Sequence, residues 1–326
     1  MTSFDTTADT MMAWLDGQGG ARTLDPGPLP DTPGFAVIWL KLTPGETGAR
    51  EWLRTQTDLD SFVRDALTAE DTRPRCAVHG DGAIVNLRGV NLHPGAAPDD
   101  MISIRMWVEA RRLIGVWRRP LFATRDLFDA VGRGHAPLSP GDFVAKLALR
   151  LADRMEPTVA DLHEQIDDME ELLDDGTSGD PDRAALAQVR RQAIALRRFV
   201  SPQRDALTSL AIEDIGWLNG RDRSRIHEAG DRTTRVAEEL ESVRERAAIV
   251  HDQLLEKRSD KMNRYTLLLT VVASIFLPLG LITGLLGINV GGIPGANTPW
   301  AFAAVTALLI GLGGLQLWLY RRLKLI

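Results

Sequence analysis

The chain of 326 residues carries 38 Lys and Arg against 44 Asp and Glu, a net charge of −6, and is 44% hydrophobic. An acidic balance of this kind lacks the basic patch that nucleic-acid binding needs, so no nucleic-acid partner is expected. The single cysteine, Cys76, excludes an internal disulfide and fits a reducing compartment, and the residues from Met1 to Asp5 lack the basic-then-apolar layout of a secretion signal.

Residues 1–33 are rich in Gly, Pro, Asp and Thr and are expected to form a loose N-terminal segment. Phe35–Leu42 is a short apolar run closed by Pro44 and Gly45, which predicts a buried strand. Glu51–Leu67 predicts one or two short helices. Four further runs, Arg75–His79, Ala83–Arg88, Met101–Val108 and Leu113–Trp117, are separated by turn formers and predict antiparallel strands, so that residues 34–118 make a small α/β layer.

From Leu121 the pattern turns helical. Asp126–Val131 is short, and Ser139 followed by Pro140 and Asp142 predicts a helix start with proline in the first turn. That helix continues to about Met155 and, past Pro157, to Asp175. Residues 153–182 hold twelve acidic side chains against Arg154, which reads first as a solvated face and second as an acidic ring gathering divalent cations where copies meet. After a turn at Thr177–Pro181, Arg183–Val200 is a basic helix. An acidic helix and a basic one across a tight turn predict an antiparallel pair, charge-matched along its seam, which completes a cytoplasmic α/β domain over residues 34–200.

Residues 201–264 form the stalk region. Ile226, Ala229, Thr233, Val236, Leu240, Val243, Ala247, Val250 and Leu254 recur at spacings of three and four, which predicts one helix running from about Arg221 into the apolar segment. Tyr265 to Tyr320 then contains no Asp, Glu, Lys, Arg or His. Residues 265–286 and 300–320 are each about 20 residues long, enough to cross ~30 Å of hydrocarbon, and residues 287–299 between them are turn formers that belong outside it. Lys257, Arg258, Lys261 and Arg264 precede this hairpin, and Arg321, Arg322 and Lys324 lie in the basic tail 321–326. The positive-inside rule therefore puts both termini in the cytoplasm, with the lipid bilayer as an obligatory partner.

The first membrane helix is not uniform. Gly284, Gly280, Leu277, Ala273, Thr270, Thr266 and Asn263 fall on one face that is small or hydroxylic apart from Leu277, whereas Leu268, Leu269, Val271, Val272, Ile275 and Phe276 are bulky. Small stripes also serve helix packing. Carried downward in the same phase, however, the stripe meets Glu256, Asp252, Glu245, Glu238 and Asp231. Carboxylates that concentrate a cation below a neutral narrow tube suit a cation pathway. Two membrane helices cannot enclose a pore, so the reading requires a ring of identical chains. At the outer end, Gly287 is expected to end the helix through its backbone freedom, and Gly287, Ile288 and Asn289 to supply a neutral oxygen-rich collar for a hydrated divalent cation.

Candidate metal ligands elsewhere are weak. His163 with Glu164 and Asp167 lies on the acidic helix. Cys76 and His79 sit at odd spacing in a strand and point to opposite faces. His227 and His251 read as surface residues. No phosphate loop and no Ser/His/Asp set appears, so the chain is not expected to be an enzyme, and no prosthetic group is implied.

The hairpin resembles the CorA-type two-helix divalent-cation transporters. The similarity rests on Met262-Asn263-Arg264, Phe276-Leu277-Pro278-Leu279, Thr283 through Asn289, and Gly291 through Gly295. Ile288 replaces the methionine of the family's Gly-Met-Asn signature, and the Gly-Gly-Ile-Pro-Gly that follows is similar to the zinc-transporting ZntB branch. The resemblance implies an α+β cytoplasmic domain, a long α-helical stalk and two C-terminal transmembrane helices in a funnel-shaped homopentamer. It implies that Gly287 and Asn289 form the selectivity collar, that Asn263, Thr270, Leu277 and Gly280 line the pore, and that the cargo is zinc(2+), moved with proton coupling. The alternatives are a magnesium, cobalt or nickel channel of the same family and a membrane-anchored scaffold or sensor.

Overall fold

The structure is a computed structural model that describes residues 8–43, 48–56, 58–175, 181–288, 295 and 298–323. It divides into two compact units, Met1–His251 and Asp252–Ile326.

The first unit is built on a seven-stranded sheet. Its strands are β1 (Thr10–Leu15), β2 (Ala21–Thr23), β3 (Phe35–Lys41), β4 (Arg75–His79), β5 (Gly82–Gly89), β6 (Ile102–Glu109) and β7 (Arg112–Trp117). The spatial order is β2-β1-β3-β7-β6-β5-β4, and β3 beside β7 is its one parallel pair. The sheet is covered on both faces, which explains why β3 is apolar at nearly every position rather than alternating. Phe35, Val37 and Trp39 enter one core, while Ile38 and Leu40 enter the other. The second core lies under α1 (Gly48–Thr55) and α2 (Ser61–Thr68). The first takes α3 (Phe122–Gly132), α4 (Pro140–Asp153) and parts of the later helices.

Two glycines are dictated by this packing. Trp39 pairs in register with Gly115, where a Cβ would fall 2.1 Å from the indole, so only glycine leaves room for that ring, which meets Phe128 edge-on and Phe143 at a tilt. Gly82 does the same for Trp107, at 2.3 Å. Arg105 is fully buried among these strands. Its Nη1 donates to the carbonyls of Leu67 and Ala69, so a cation closes the C-terminal end of α2. Burial, with Arg118 and Arg50 nearby, lowers its pKa to about 10.

Two expectations are corrected here. Of the segment 1–33 expected to be loose, the described part, residues 8–33, supplies β1 and β2. Met11, Ala13 and Leu15 join the core, and β1 hydrogen-bonds along the whole of β3. The apolar run Met11–Leu15 is short, and the Gly and Pro residues of the following loop set the composition of the segment. The basic helix does not stop at Val200 either. α6 spans Arg183–Ile212 and passes through Pro202. Burial of Gln203, Ala206, Leu207 and Leu210 offsets the ~3 kcal/mol that an interior proline costs. Gln203 Oε1 also accepts the Arg88 backbone N–H at 2.6 Å, tying α6 to β5.

α4 begins as its sequence predicts, with Ser139 Oγ accepting from Asp142 N and Pro140 in the first turn. α5 spans Glu156–Asp175, and α7 is a 67-residue helix, Gly220–Leu286. All nine positions of the predicted heptad stripe in α7, from Ile226 to Leu254, are buried. α8 (Ala301–Arg322) lies wholly in the second unit.

The start of α7 is bound to the start of α4 by charge. Asp142, 2% exposed, accepts from Leu138 N at 3.0 Å, pairs with Lys146 at 2.9 Å and bonds Arg225. Burial pushes its carboxyl pKa up, but the Leu138 N–H, Lys146 and Arg225 outweigh it and hold the carboxyl below 3.8. Asp142→Asn should therefore cost about 2 kcal/mol at neutral pH, since Lys146 and Arg225 stay partly hydrated. A carboxyl with a depressed folded pKa stabilises above its ordinary value and loses that contribution as the pH falls below it. Thermal melts of parent and variant should differ at pH 7 and converge as the pH is taken below 3.8.

Candidate functional site

Among the described residues no three His, Cys, Asp or Glu side chains converge as a metal-holding group. His163, Glu164 and Asp167 line a cavity of about 490 Å³ between α5 and α7, together with Arg232 and Arg235. Asp167 is taken up by Arg246 of α7 at 2.5 Å, and Glu170 by the same guanidinium at 2.5 Å. Those two carboxylates, Glu170 first, push the Arg246 pKa above the ordinary guanidinium value. The acidic helix is thus matched by α7 rather than by its antiparallel neighbour. The basic helix likewise pairs Arg197 with Glu241 of α7, at 3.1 Å. Among the described residues the long helix carries the counter-charges for both, and no ion pair joins α5 to α6 as the expected charge-matched seam would.

Cys76 and His79 do face opposite sides of the sheet. Cys76 packs against the first core, and His79 turns to Asp60 at 3.0 Å and to Phe62 on α2. A larger cavity of about 780 Å³ lies at the β6–β7 turn, against Met12 of β1 and Ile38 of β3. Its Arg112 is already paired with Asp58 and Glu109, and its Arg111 bonds the Pro30 and Thr32 carbonyls.

In the first unit, Asp231, Glu238 and Glu245 are exposed on the side of α7 that its buried stripe leaves to solvent. Asp231 lies 3.4 Å from His227. In the second unit, Asp252 and Glu256 are exposed as well.

The apolar length of α7 and the whole of α8 pass the length and composition test for membrane spans, and both are bare, with 6% and 0% of their apolar windows buried. A core helix of a water-soluble protein would be covered; Leu277 at 76% and Phe302 at 83% exposure call for lipid or for other copies. α7 meets α8 along one side only. Val271 is buried, Ser274 bonds Tyr320 and Gln316, and Leu279 lies 3.8 Å from where a Cβ on Gly313 would stand. At about 100° per residue, the stripe Asn263, Thr266, Thr270, Ala273, Leu277, Gly280 and Gly284 is centred roughly 135° away from that contact. All seven are exposed.

The chemistry of this face is neutral oxygen. Thr266 Oγ1 donates to the Met262 carbonyl at 2.9 Å and Thr270 Oγ1 to the Thr266 carbonyl at 2.8 Å, so each hydroxyl presents only its lone pairs outward. Gly280 and Gly284 have open space where a Cβ would be. Gly287 follows the last helical residue, but its backbone is not left-handed. A Cβ there would stand 3.1 Å from the Thr283 carbonyl, a tight contact, while the Gly287 N–H still bonds that carbonyl at 2.9 Å. Ile288 is exposed; Asn289, the third collar residue, lies outside the described residues.

The profile of the family described as "CorA-like Mg2+ transporter protein" matches residues 35–322. The divalent cation transporter CmaX of Pseudomonas aeruginosa is 38% identical over 313 residues, 95% of this chain and 94% of that protein. The zinc transport protein ZntB of an Enterobacter species is 33% identical over 316 residues, covering 96% and 95%. The solved structure of full-length CmaX superposes with a TM-score of 0.83 over 96% of this chain and 97% of its own. The CorA magnesium transporter of Methanocaldococcus jannaschii shares the fold, with a TM-score of 0.80 at 18% identity over 97% of this chain and 98% of its own.

Cys76 offers a check on the first unit that is independent of transport. Burial, with Glu213 nearby, pushes its thiol pKa up to about 11. At pH 8 the thiolate fraction is then ~100-fold below that of an ordinary thiol, and alkylation by iodoacetamide should be slower by about that factor until the protein is denatured.

Proposed function

Because the chain belongs to the family of CorA-like Mg2+ transporter proteins, we propose that it moves zinc(2+) through a pore built by several copies around the α7 stripe. It is a divalent-cation transporter of that family, with a long helix and two C-terminal membrane helices. The observation that carries the pore reading is the bare, neutral, oxygen-bearing stripe turned away from α8.

The remaining parts follow from elementary electrostatics. Asp231, Glu238, Glu245, Asp252 and Glu256 raise the local concentration of divalent cations at the cytoplasmic side. The stripe offers neither thiolate nor imidazole, the ligands that hold zinc tightly, so the ion passes with its water shell instead of being trapped. Leu277 is the one bulky side chain on this face and narrows the path. Gly287, Ile288 and Asn289 form the collar at the outer end. The assembly is a homopentamer in a bacterial inner membrane with both termini cytoplasmic, as the basic residues on either flank of the uncharged hairpin favour. Zinc is favoured over magnesium by the similarity to ZntB and by Ile288 with the Gly291–Gly295 run.

Full-length protein reconstituted in liposomes should admit zinc, and Asn289→Ala should lower the initial rate by about tenfold or more, since the collar meets the ion in its hydrated form. Magnesium entry without zinc entry would overturn the ion assignment while keeping the pore. Entry of neither cation into vesicles holding intact oligomers would favour the anchor. Orientation of the stripe is read separately. In a Cys76→Ser background, Thr270→Cys should react ~10-fold faster than Leu269→Cys with a charged thiol reagent, because only a wetted thiol ionises readily.

A further inference from the structure

α7 carries a proline, Pro278, inside its membrane-spanning length. A proline has no N–H, so the carbonyl four residues earlier, that of Ser274, is left without its helical donor. In hydrocarbon no water can replace it, and such a carbonyl must be satisfied by a neighbouring group. α8 supplies that group. Nε2 of Gln316 approaches the Ser274 carbonyl at 3.4 Å. One turn further along α8, the Tyr320 hydroxyl donates to Ser274 Oγ at 2.6 Å, and Ser274 Oγ in turn donates to the Val271 carbonyl at 2.8 Å.

Gln316 and Tyr320 are otherwise unexplained in a helix whose neighbours are apolar. Each costs desolvation in the membrane, and Gln316 Oε1 is buried with no partner among the described residues. The other side-chain hydroxyl of α8, on Thr306, folds back onto its own helix at Phe302. Among the described residues Gln316 and Tyr320 alone send hydrogen bonds from α8 to α7, and both reach the one residue whose carbonyl the proline releases. Leu277, immediately before the proline, stands on the opposite, exposed side of α7.

We propose that Gln316 and Tyr320 are positioning residues for transport: they form a clasp on Ser274 that restrains α7 at its proline and so holds Leu277 in the path of the ion. The 3.4 Å bond to the carbonyl is the long member of the pair and the one that yields first. Loss of the clasp lets α7 bend at Pro278, withdraws Leu277 and increases flux. This inference rests on the transport reading for its consequence but not for its structural content.

The test is a double-mutant cycle on the full-length protein. Gln316→Leu in the parent should speed amide exchange over residues 275–283 in detergent and raise cation flux in liposomes, each by about fivefold. Pro278→Ala restores an N–H to the Ser274 carbonyl, so in that background Gln316→Leu should change either quantity by less than about twofold. Tyr320→Phe should act in the same direction as Gln316→Leu in the parent. Equal effects of Gln316→Leu in the two backgrounds would overturn the clasp, because a residue that merely packs does not depend on the proline. Unchanged exchange in Gln316→Leu would overturn it as well. If no variant, parent included, moves a cation, the exchange cycle still decides the clasp, and it is the transport reading that falls.

Discussion

Hydrocarbon offers no hydrogen bonds, and that constraint shapes the whole C-terminal hairpin of the chain. It forbids charge between Tyr265 and Tyr320, and it makes each helix satisfy its own backbone. Where Pro278 breaks that rule, a side chain from α8 is drawn in to repair the loss. The hydroxyls of Thr266 and Thr270 obey it too, by giving their protons to carbonyls one turn back. What they then show outward is acceptor capacity without charge. A face with that property attracts a hydrated cation and releases it, which a carboxylate or an imidazole in the same place would not do.

In water the same helix meets the opposite demand. From Ile226 to Leu254, α7 buries an apolar stripe, and beside the stripe it carries the arginines and glutamates that answer its neighbours. Arg246 takes Asp167 and Glu170, Glu241 takes Arg197, and Arg225 takes Asp142. Most of these pairs are partly exposed and each adds little stability by itself. Their effect is on register, since a slip of α7 by one turn would unpair all of them together. The buried Asp142 is different in kind, because its removal strands two cations and an N–H at once.

The site and the fold were legible to different extents. β3 to β7, the start of α4 and the heptad stripe of α7 follow from local pattern, and the structure places each where the pattern does. β1 was not legible, because the apolar run Met11–Leu15 is short and is followed by a Gly- and Pro-rich loop. Only pairing along β3 makes it a strand. The passage of α6 through Pro202 depended on burial of Ala206, Leu207 and Leu210, which no local rule anticipates. At Gly287 the expected backbone freedom is not used, since its φ is not left-handed; a Cβ there would only crowd the Thr283 carbonyl.

By itself the sequence determined the membrane hairpin, its charged flanks and the stripe of small and hydroxylic residues, because charge, span length and helical period are properties of the chain alone. Tertiary structure decided what each face of each helix meets. That Asp167 answers Arg246 and not the basic helix, that Gly115 makes room for Trp39, and that the stripe of α7 points away from α8 depend on which surfaces are brought together. The clasp on Ser274 shows the division most plainly. The sequence contains the proline and the glutamine 38 residues apart. Only the packing of α8 on α7 turns a missing donor and a costly amide into one hydrogen bond.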